Sequence, residues 1–543
     1  MTSIDNVRRD LLKLSGISLA AALPSAYAAA QTPGQPATGA PLLYDVRRFG
    51  ASGSGTSLAT PGVNAAISAA AAAGGGTVYF PTGTYLCFSI HLRSNVALYL
   101  DQGATILAAA SPLPGQTTGQ LGGVYDPAEP KTAWDAYQDF GHNHWHNSLL
   151  WGEDLHDIAI LGPGRIYGKG LSFGETRAAR GDYPIYTAEQ PGAGNKAIAL
   201  KNCRNVILKD FSVLKGGHFA LLLTGVDNLA IDNLKIDTDR DGIDIDCCKN
   251  VTVSNCTVNS PWDDGICPKS SFALGYARAT ENVTITNCYV SGYYELGTIL
   301  DGTFKKMPPD IKGLNHNGRI KCGTESNGGF KNITISNCVF EGCQGLALES
   351  DDGALCEDIA ITNITMRDIF SGPLFFRLGA RMRGPKDSKV GTLRRILVSN
   401  ITSYNGQSRL CSILSGIPGY PIEDVKIANY FDQNQGGGGA EMRKIVPPEE
   451  VAKYPDPGMF GPMPSNGFYL RHVKNIELSH VEIAPMQPDA RVSFYLRGVD
   501  RADFIAVTSP TPAFTLNDTR DLRILISRAA KDTILPTAND QTL

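Results

Sequence analysis

Helical periodicity is nearly absent from this 543-residue sequence, which leaves little room for a helical core. Long apolar runs are missing too. Beyond the first thirty residues no stretch reaches about 18 uninterrupted apolar residues, so the mature chain is expected not to span a membrane. Basic runs are also lacking and the formal net charge is −4, so nothing points to nucleic acid. A disulfide framework is also not indicated, although 12 cysteines in an exported chain would ordinarily invite one. Cys203, Cys256, Cys288 and Cys338 each follow an Asn at the same place in a repeat, a pattern of buried small side chains rather than of a disulfide framework. A bridge such as Cys247 or Cys248 to Cys267 is the alternative left open.

The chain starts with an address. Arg8 and Arg9 open RRDLLKLSG, followed by the apolar run ISLAAAL and the small residues AYAAA. This is the layout of a twin-arginine export signal over residues 1–30, cleaved near Ala28 or Ala30. The expectation is handling by the twin-arginine translocation machinery and a periplasmic or secreted product. Residues 31–42, rich in Gln, Pro, Gly and Thr, read as a linker.

What the sequence has in abundance is one phrase: a polar residue, Asn, then alternating apolar residues. NVILKDFSV begins at Asn205, NLAIDNLKI at Asn228, NVTVSNCTV at Asn250, NVTITNCYV at Asn282 and NITISNCVF at Asn332, with DIAITNITM from Asp358 as a variant. The first three start 23 and 22 residues apart. Val, Ile and Thr at period two mark strands, and Gly or Asn punctuates the units. A unit this short cannot bury its apolar face alone. Stacked on its neighbours it can, so the fold expected over residues 43–530 is all-β: a right-handed, single-stranded parallel β-helix, with residues 531–543 as a C-terminal tail. Solenoids grow by adding coils, so the length does not require several domains. Asn at the phrase ends suits stacked turn ladders.

The phrases are scaffold, and chemistry must come from what interrupts them. Asp241 lies in DRDGIDID and the pair Asp263 and Asp264 in PWDDGICPKSS, one repeat apart. Strands stacked in register sit about 4.8 Å apart, so the three carboxylates share one patch. Like charges that close raise at least one pKa and so yield an acid and a base in one site. Glycosidic hydrolysis with inversion needs that pair, with carboxyl groups roughly 6.5 to 9.5 Å apart. Asp237, Asp239, Asp241 and Gly242 also imitate the start of a calcium loop, but its twelfth position is Cys248 rather than Glu. No cofactor is expected.

These residues carry a resemblance to glycoside hydrolase family 28, the polygalacturonase group of pectin-degrading enzymes, over roughly residues 44–525. DVRRFGASGSG, an Ala-rich helix near 63–73, GGGTVYFPTGTYL and LRSNVALYLDQGATIL resemble the N-terminal cap of pectin-lyase-like β-helices. Asp239, Arg240 and Asp241 stand where the family has Asn-Thr-Asp, and Asp263 and Asp264 match its Asp-Asp. The resemblance implies Asp263 as general acid, with Asp241 and Asp264 holding and deprotonating the attacking water. The family's Gly-His-Gly histidine falls at Asn317, with His316 one residue early. Its Arg-Ile-Lys falls at Ala347, Leu348 and Glu349, while Arg319 to Lys321 spell that tripeptide one coil sooner. The chain is therefore identified as a divergent branch.

Arg319 and Lys321 have strand spacing, and a basic pair beside three carboxylates suits a uronic-acid carboxylate; the bland alternative pairs Arg319 with Asp301 or Glu325. In HNHWHNSLLWGEDL, His144, Trp145 and His146 are candidates to line a sugar subsite; HxHxH also imitates a metal site, but no nearby acidic residue is expected to complete it on the same face, and no metal is expected. His218, Lys269, Asp301 and Arg377 occupy corresponding places after the phrases, where solvated surface is the ordinary reading. Substrate contacts are expected from His316, Arg319, Lys321, Lys269, Trp145 and His146. The long insertion from Asp432 to Asn466 is expected to wall a cleft and favour attack at chain ends. The function expected is hydrolysis of pectic polysaccharide or oligosaccharide, with a polysaccharide lyase on the same fold and a noncatalytic carbohydrate-binding solenoid as alternatives.

Overall fold

Alternating Val, Ile and Thr put one apolar row inward on every phrase, and the rows stack. In the computed structural model Val206 pairs with Leu229, Leu229 with Val251, Val251 with Val283, Val283 with Ile333 and Ile333 with Ile359, all in parallel register and all buried. The structure describes residues 43–139, 141–172, 190–307, 316–407 and 409–543. The export signal and the linker lie outside them. The result is a right-handed parallel β-helix, each coil hydrogen-bonded to the next.

Asparagine sets the corner of each coil. Asn205, Asn228, Asn250, Asn282 and Asn332 all adopt left-handed φ, between 53° and 58°, a conformation Asn tolerates better than other side chains with a Cβ. Each amide from Asn228 onward donates to the Asn one coil earlier, at 2.8 to 3.1 Å. Asn205 closes the row on Asp157 at 2.9 Å. The ladder holds the register, and the register decides what meets what.

A second sheet carries the interruptions. Its strands, Ile90–His91, Ser148–Glu153, Lys196–Lys201, Phe219–Thr224, Asp241–Asp246 and Ile266–Lys269, run parallel in that spatial order. The pairing of Ile266 with Ile320 leads on to Lys321–Cys322, Leu346–Ser350 and Leu374–Leu378. On this face Lys196, Phe219 and Asp241 form one row, and Ala199, Leu222, Asp244 and Cys267 a second.

The ends are closed differently. Helix Thr60–Ala72 buries Val63, Ala66, Ile67 and Ala70 against the first coils. At the other end Thr533–Ala538 and Gln541–Thr542 pair antiparallel with Phe514–Leu525, so the residues read as a tail are paired strands with Ala538 buried. All twelve cysteines are free and buried. Cys267 donates to the Gly323 carbonyl at 3.0 Å, Cys247 to Ser271 and Cys248 to Leu223, so no bridge joins them. Cys256, Cys288 and Cys338 stack at one corner and each donate to the carbonyl two residues back, at 3.1 to 3.2 Å, whereas Cys203, grouped with them by its Asn neighbour, lies before its phrase at another corner, in line with Val226 and Cys248. Among the described residues no helix is long and apolar enough to cross a membrane.

Removing one rung of the amide ladder should therefore weaken the solenoid without touching its chemistry. Asn250→Ala is expected to lower the unfolding free energy by about 1–2 kcal/mol, through the two lost ladder hydrogen bonds and because Ala tolerates left-handed φ less well than Asn. Asn250→Gly, which keeps the backbone unstrained, should lose less. Urea unfolding followed by circular dichroism checks the order of the two variants.

Candidate active site

Asp241 and Asp264 each precede a glycine, and those glycines bring two coils together. A Cβ added at Gly242 would stand 2.4 Å from the Gly265 carbonyl, and one at Gly265 would stand 2.7 Å from that of Gly318. With no side chain there, Gly242 N–H donates to the Asp264 carbonyl at 3.0 Å. The Asp264 N–H donates to Asp241 Oδ1 and to Asp263 Oδ1, both at 3.1 Å. One oxygen from each of the three aspartates falls within 4.8 Å of the others. The convergence read from the sequence is present. It is tighter than the 6.5 to 9.5 Å carboxyl separation expected for an acid and base with water between them.

The three differ in exposure and in charge environment. The Asp263 side chain is 23% exposed, against 4% for Asp241 and 1% for Asp264. Burial, and after it the charges of Asp244 and Asp263, push Asp241 well above the usual carboxylate range. Asp264 is as deeply buried, yet Lys321 and Arg319 outweigh the burial and hold its carboxyl well below that range. Arg319 Nε sits 3.0 Å from Asp264 Oδ1 and Lys321 Nζ 2.5 Å from Oδ2. Asp263 Oδ2 accepts from Arg240 at 2.7 Å. Two neighbouring carboxyls thus have opposite protonation preferences, the condition for acid and base work in one site.

Several expected substrate contacts are engaged elsewhere. Arg319 and Lys321 are buried and directed at Asp264. Arg319 also reaches Glu349 at 3.4 Å and donates to Gln344 at 3.0 Å, so it pairs with neither Asp301 nor Glu325. Lys269 is buried with Nζ 3.7 Å from Glu325, and His218 and Arg377 are buried too; Asp301, bonded to Thr303, is the one of those four at the surface. His316 stacks flat on Phe370, centroids 3.6 Å apart, and its Nδ1 lies 3.0 Å from the Gly292 carbonyl. Trp145 is buried, its Nε1 donating to Thr224 Oγ1 at 3.2 Å and its ring under Lys201. His146 packs on Trp151 with Nε2 2.8 Å from Glu153 and 3.6 Å from Glu129. Acidic residues do stand beside that imidazole, brought by folding from positions 129 and 153.

Groups of ligating type therefore occur at Glu129, His146 and Glu153, at His142, Asp241 and Asp244, and at the aspartate trio itself, each within 4.8 Å. The calcium-loop pattern does not assemble. Asp237 instead accepts from Asn259 and from the Ile299 N–H, both at 2.9 Å.

Residues outside the expected set complete the site. His142 lies with Nε2 4.0 Å from Asp241 Oδ2, and its Nδ1 is hydrogen-bonded to Glu325 Oε1. Asp244 is fully buried with no hydrogen-bond partner for either oxygen among the described residues, and burial pushes it up to about 6. Glu325 is held well below its ordinary range because His142 and Lys269 outweigh burial. His142 is the first imidazole of HxHxH, a signal the sequence does contain; Glu325 carries none.

Two insertions flank the trio. Residues 125–147 lie over the preceding coils, where Trp145 packs with Ala199, Phe219, Leu222 and Ala273. The segment 447–463 lies over the following coils, with Met459, Phe460 and Met463 on Ala347, Phe375, Ile413 and Tyr469. Arg377 and Arg471 anchor it by donating to the carbonyls of Pro447, Pro448, Glu449 and Glu450. A chain of contacts joins the insertions: Asp139 pairs with Arg383 and with Arg381, and the Arg381 guanidinium stands 5.6 Å from the Tyr454 ring centroid.

Residues 129–295 match the family described as glycosyl hydrolases family 28, and residues 43–127 that described as rhamnogalacturonase A/epimerase, pectate lyase-like. Among solved structures, the exopolygalacturonase of Thermotoga maritima is 16% identical with a TM-score of 0.54, over 92% of this chain and 95% of that one. The family 28 exopolygalacturonase of Yersinia enterocolitica is 17% identical with a TM-score of 0.55, over 89% and 78%. The tailspike protein of E. coli bacteriophage HK620 is 10% identical with a TM-score of 0.51, over 90% and 77%. These likenesses establish the fold. One curated protein, mannuronan C5-epimerase AlgE1 of Azotobacter vinelandii, is 53% identical over 45 residues, 8% of this chain and 3% of its own length.

Arg319 is the cation on which the buried charges lean. Arg319→Met is expected to destabilise the fold by about 3–5 kcal/mol at neutral pH, because it leaves Asp264 and Glu349 buried with one cation fewer. Asp264 is depressed in the folded state, so its contribution is complete above the ordinary carboxylate range and is lost as pH falls below it. The gap between variant and wild type should narrow on acidification, which denaturation curves at two pH values measure.

Proposed function

We propose, from the match of residues 129–295 to the glycosyl hydrolases of family 28, that this chain hydrolyses galacturonan of the pectin type from the chain end, with inversion. The observation that carries this reading is the in-register cluster of Asp241, Asp263 and Asp264, in which Asp263 is the exposed member and the other two are buried. Asp263, the exposed member, is the acid that protonates the glycosidic oxygen. Asp241 and Asp264 hold and deprotonate the water.

Water rather than an aspartate is the nucleophile. Both Asp264 oxygens face cations at 3.0 Å or less. Asp241 is buried and accepts from the Asp264 N–H. Asp264 is thus not free to bond to an anomeric carbon, and the burial of Asp241 sets it back from the sugar, which supports a single displacement by water. The close oxygens suit two carboxylates gripping one water, while the acid approaches from the solvent side.

Chain-end action follows from the insertions. An open groove across many coils suits mid-chain cutting; here residues 125–147 and 447–463 cover the sheet on both sides of the trio. Two of the similar solved structures are exopolygalacturonases, in keeping with this reading. At the rim Arg240, paired with Asp263, and Arg383, paired with Asp139, remain partly exposed, at 13% and 38%, and unlike the buried Arg319 and Lys321 they are within reach of a uronate carboxylate. Export by the twin-arginine route to the periplasm or beyond, argued from Arg8, Arg9 and the apolar run after them, brings the enzyme to its polymer.

Asp263→Asn is expected to abolish hydrolysis of polygalacturonate while leaving the circular dichroism spectrum and unfolding midpoint unchanged; near-normal activity in that variant would remove Asp263 from the acid role. With wild type, mono- or disaccharide should be the first product seen by mass, before solution viscosity falls. Its anomeric configuration by proton NMR should be opposite to that of the bond cleaved. Early release of a ladder of long fragments would overturn chain-end action.

A further inference from the structure

His142 belongs to no repeat. It arrives on the 125–147 insertion and is buried against the Phe219 ring, 4.7 Å between centroids. Its surroundings are unusual for a packing histidine. Nδ1 meets the buried carboxylate of Glu325, which also accepts from the Asp139 N–H at 2.9 Å and has Lys269 3.7 Å away. Nε2 points to Asp241 Oδ2 at 4.0 Å, with Asp244, whose oxygens lack hydrogen-bond partners among the described residues, on the same side. The other candidate imidazole, His316, lies against Phe370 and the Gly292 carbonyl.

We propose that His142, oriented by Glu325, is a positioning residue for Asp241 that relays its proton during hydrolysis. The inference rests on the reading of Asp241 as a water-activating base. Glu325 takes the Nδ1–H, which fixes the tautomer and leaves the Nε2 lone pair facing Asp241. Burial and neighbouring carboxylates favour the protonated form of Asp241, in which it cannot accept a proton from water. Transfer of that proton from Oδ2 to Nε2 frees the carboxylate, and the imidazolium is balanced by Glu325. As water attacks, Asp241 gains a proton while Asp263 gives one to the leaving oxygen. His142 returns its proton to solvent and Asp263 is reprotonated from solvent, so the cycle closes without a co-reactant. The 4.0 Å gap is of the kind that tightens once substrate is bound.

The test uses the full chain on polygalacturonate oligosaccharides. His142→Gln is expected to lower kcat about 100-fold with KM changed by less than about twofold, and Glu325→Gln about tenfold. The double variant should be no slower than His142→Gln, because the two act as one unit. Added imidazole should restore activity to His142→Gly but not to Asp263→Asn. Losses that add, appear only in KM, or resist imidazole in a folded protein would overturn the relay. A substrate-free measurement separates this from the hydrolytic reading. In protein labelled with 15N at histidine, the Nε2 resonance absent from His142→Gln should move in Asp241→Asn and stay in Asp301→Asn. If the wild type cleaves no pectic substrate the hydrolytic reading fails on its own, whereas an unmoved Nε2 resonance overturns the contact proposed here.

Discussion

In-register stacking is the constraint from which everything else in this molecule follows. A coil laid on a coil at about 4.8 Å puts each residue on its counterpart. For Val on Leu or Asn on Asn that is favourable, and the ladder from Asn205 to Asn332 shows the gain repeated. For Asp241 under Asp264 it is not, since two buried carboxylates repel. The same stacking supplies the remedy from the next coil. Arg319 and Lys321 fall on Asp264 and fix one of the two as an anion, which leaves Asp241 as the group that prefers a proton. The asymmetry of the site is thus a product of periodicity that is broken by charge.

How much of this is legible in the chain depends on whether a residue obeys the repeat. The phrases declare the strands. The Asp-Gly doublets at 241–242 and 264–265 declare the rungs that approach without side chains between them, so the trio can be read before any coordinates. Arg319 and Lys321 are visible as a basic pair, but their partner is not. Fifty-five residues separate Arg319 from Asp264 in sequence, and one coil separates them in space, so a pair that looks free for a substrate is bound to a buried carboxylate. Trp145 misleads for a related reason: its insertion folds down onto Phe219 and Leu222 and buries the ring expected to meet sugar.

The insertions mark the limit of reasoning from a repeat. His142 and Glu325 lie 183 residues apart, and neither has a counterpart one coil away that would have announced it. Their meeting depends on how a non-repetitive segment drapes over the sheet, which propensity and spacing do not encode. The same holds for Asp139 and Tyr454, which come from the two insertions and are joined through Arg381. A regular scaffold therefore makes the carboxylates inevitable, and the irregular segments decide which molecules reach them.

The antiparallel pairing of Thr533–Ala538 onto Phe514–Leu525 has a bearing on how the molecule behaves among its own kind. A stack of parallel strands ends in a row of unsatisfied N–H and C=O groups with the same geometry as every interior rung, and such a row is a template for fibre growth. A strand running the opposite way uses up those groups and presents a different spacing to whatever approaches. At the opposite pole helix Thr60–Ala72 covers the first coils with side chains instead of peptide groups. The periodicity that builds the interior is thereby closed at each end of the stack by an element that does not repeat it.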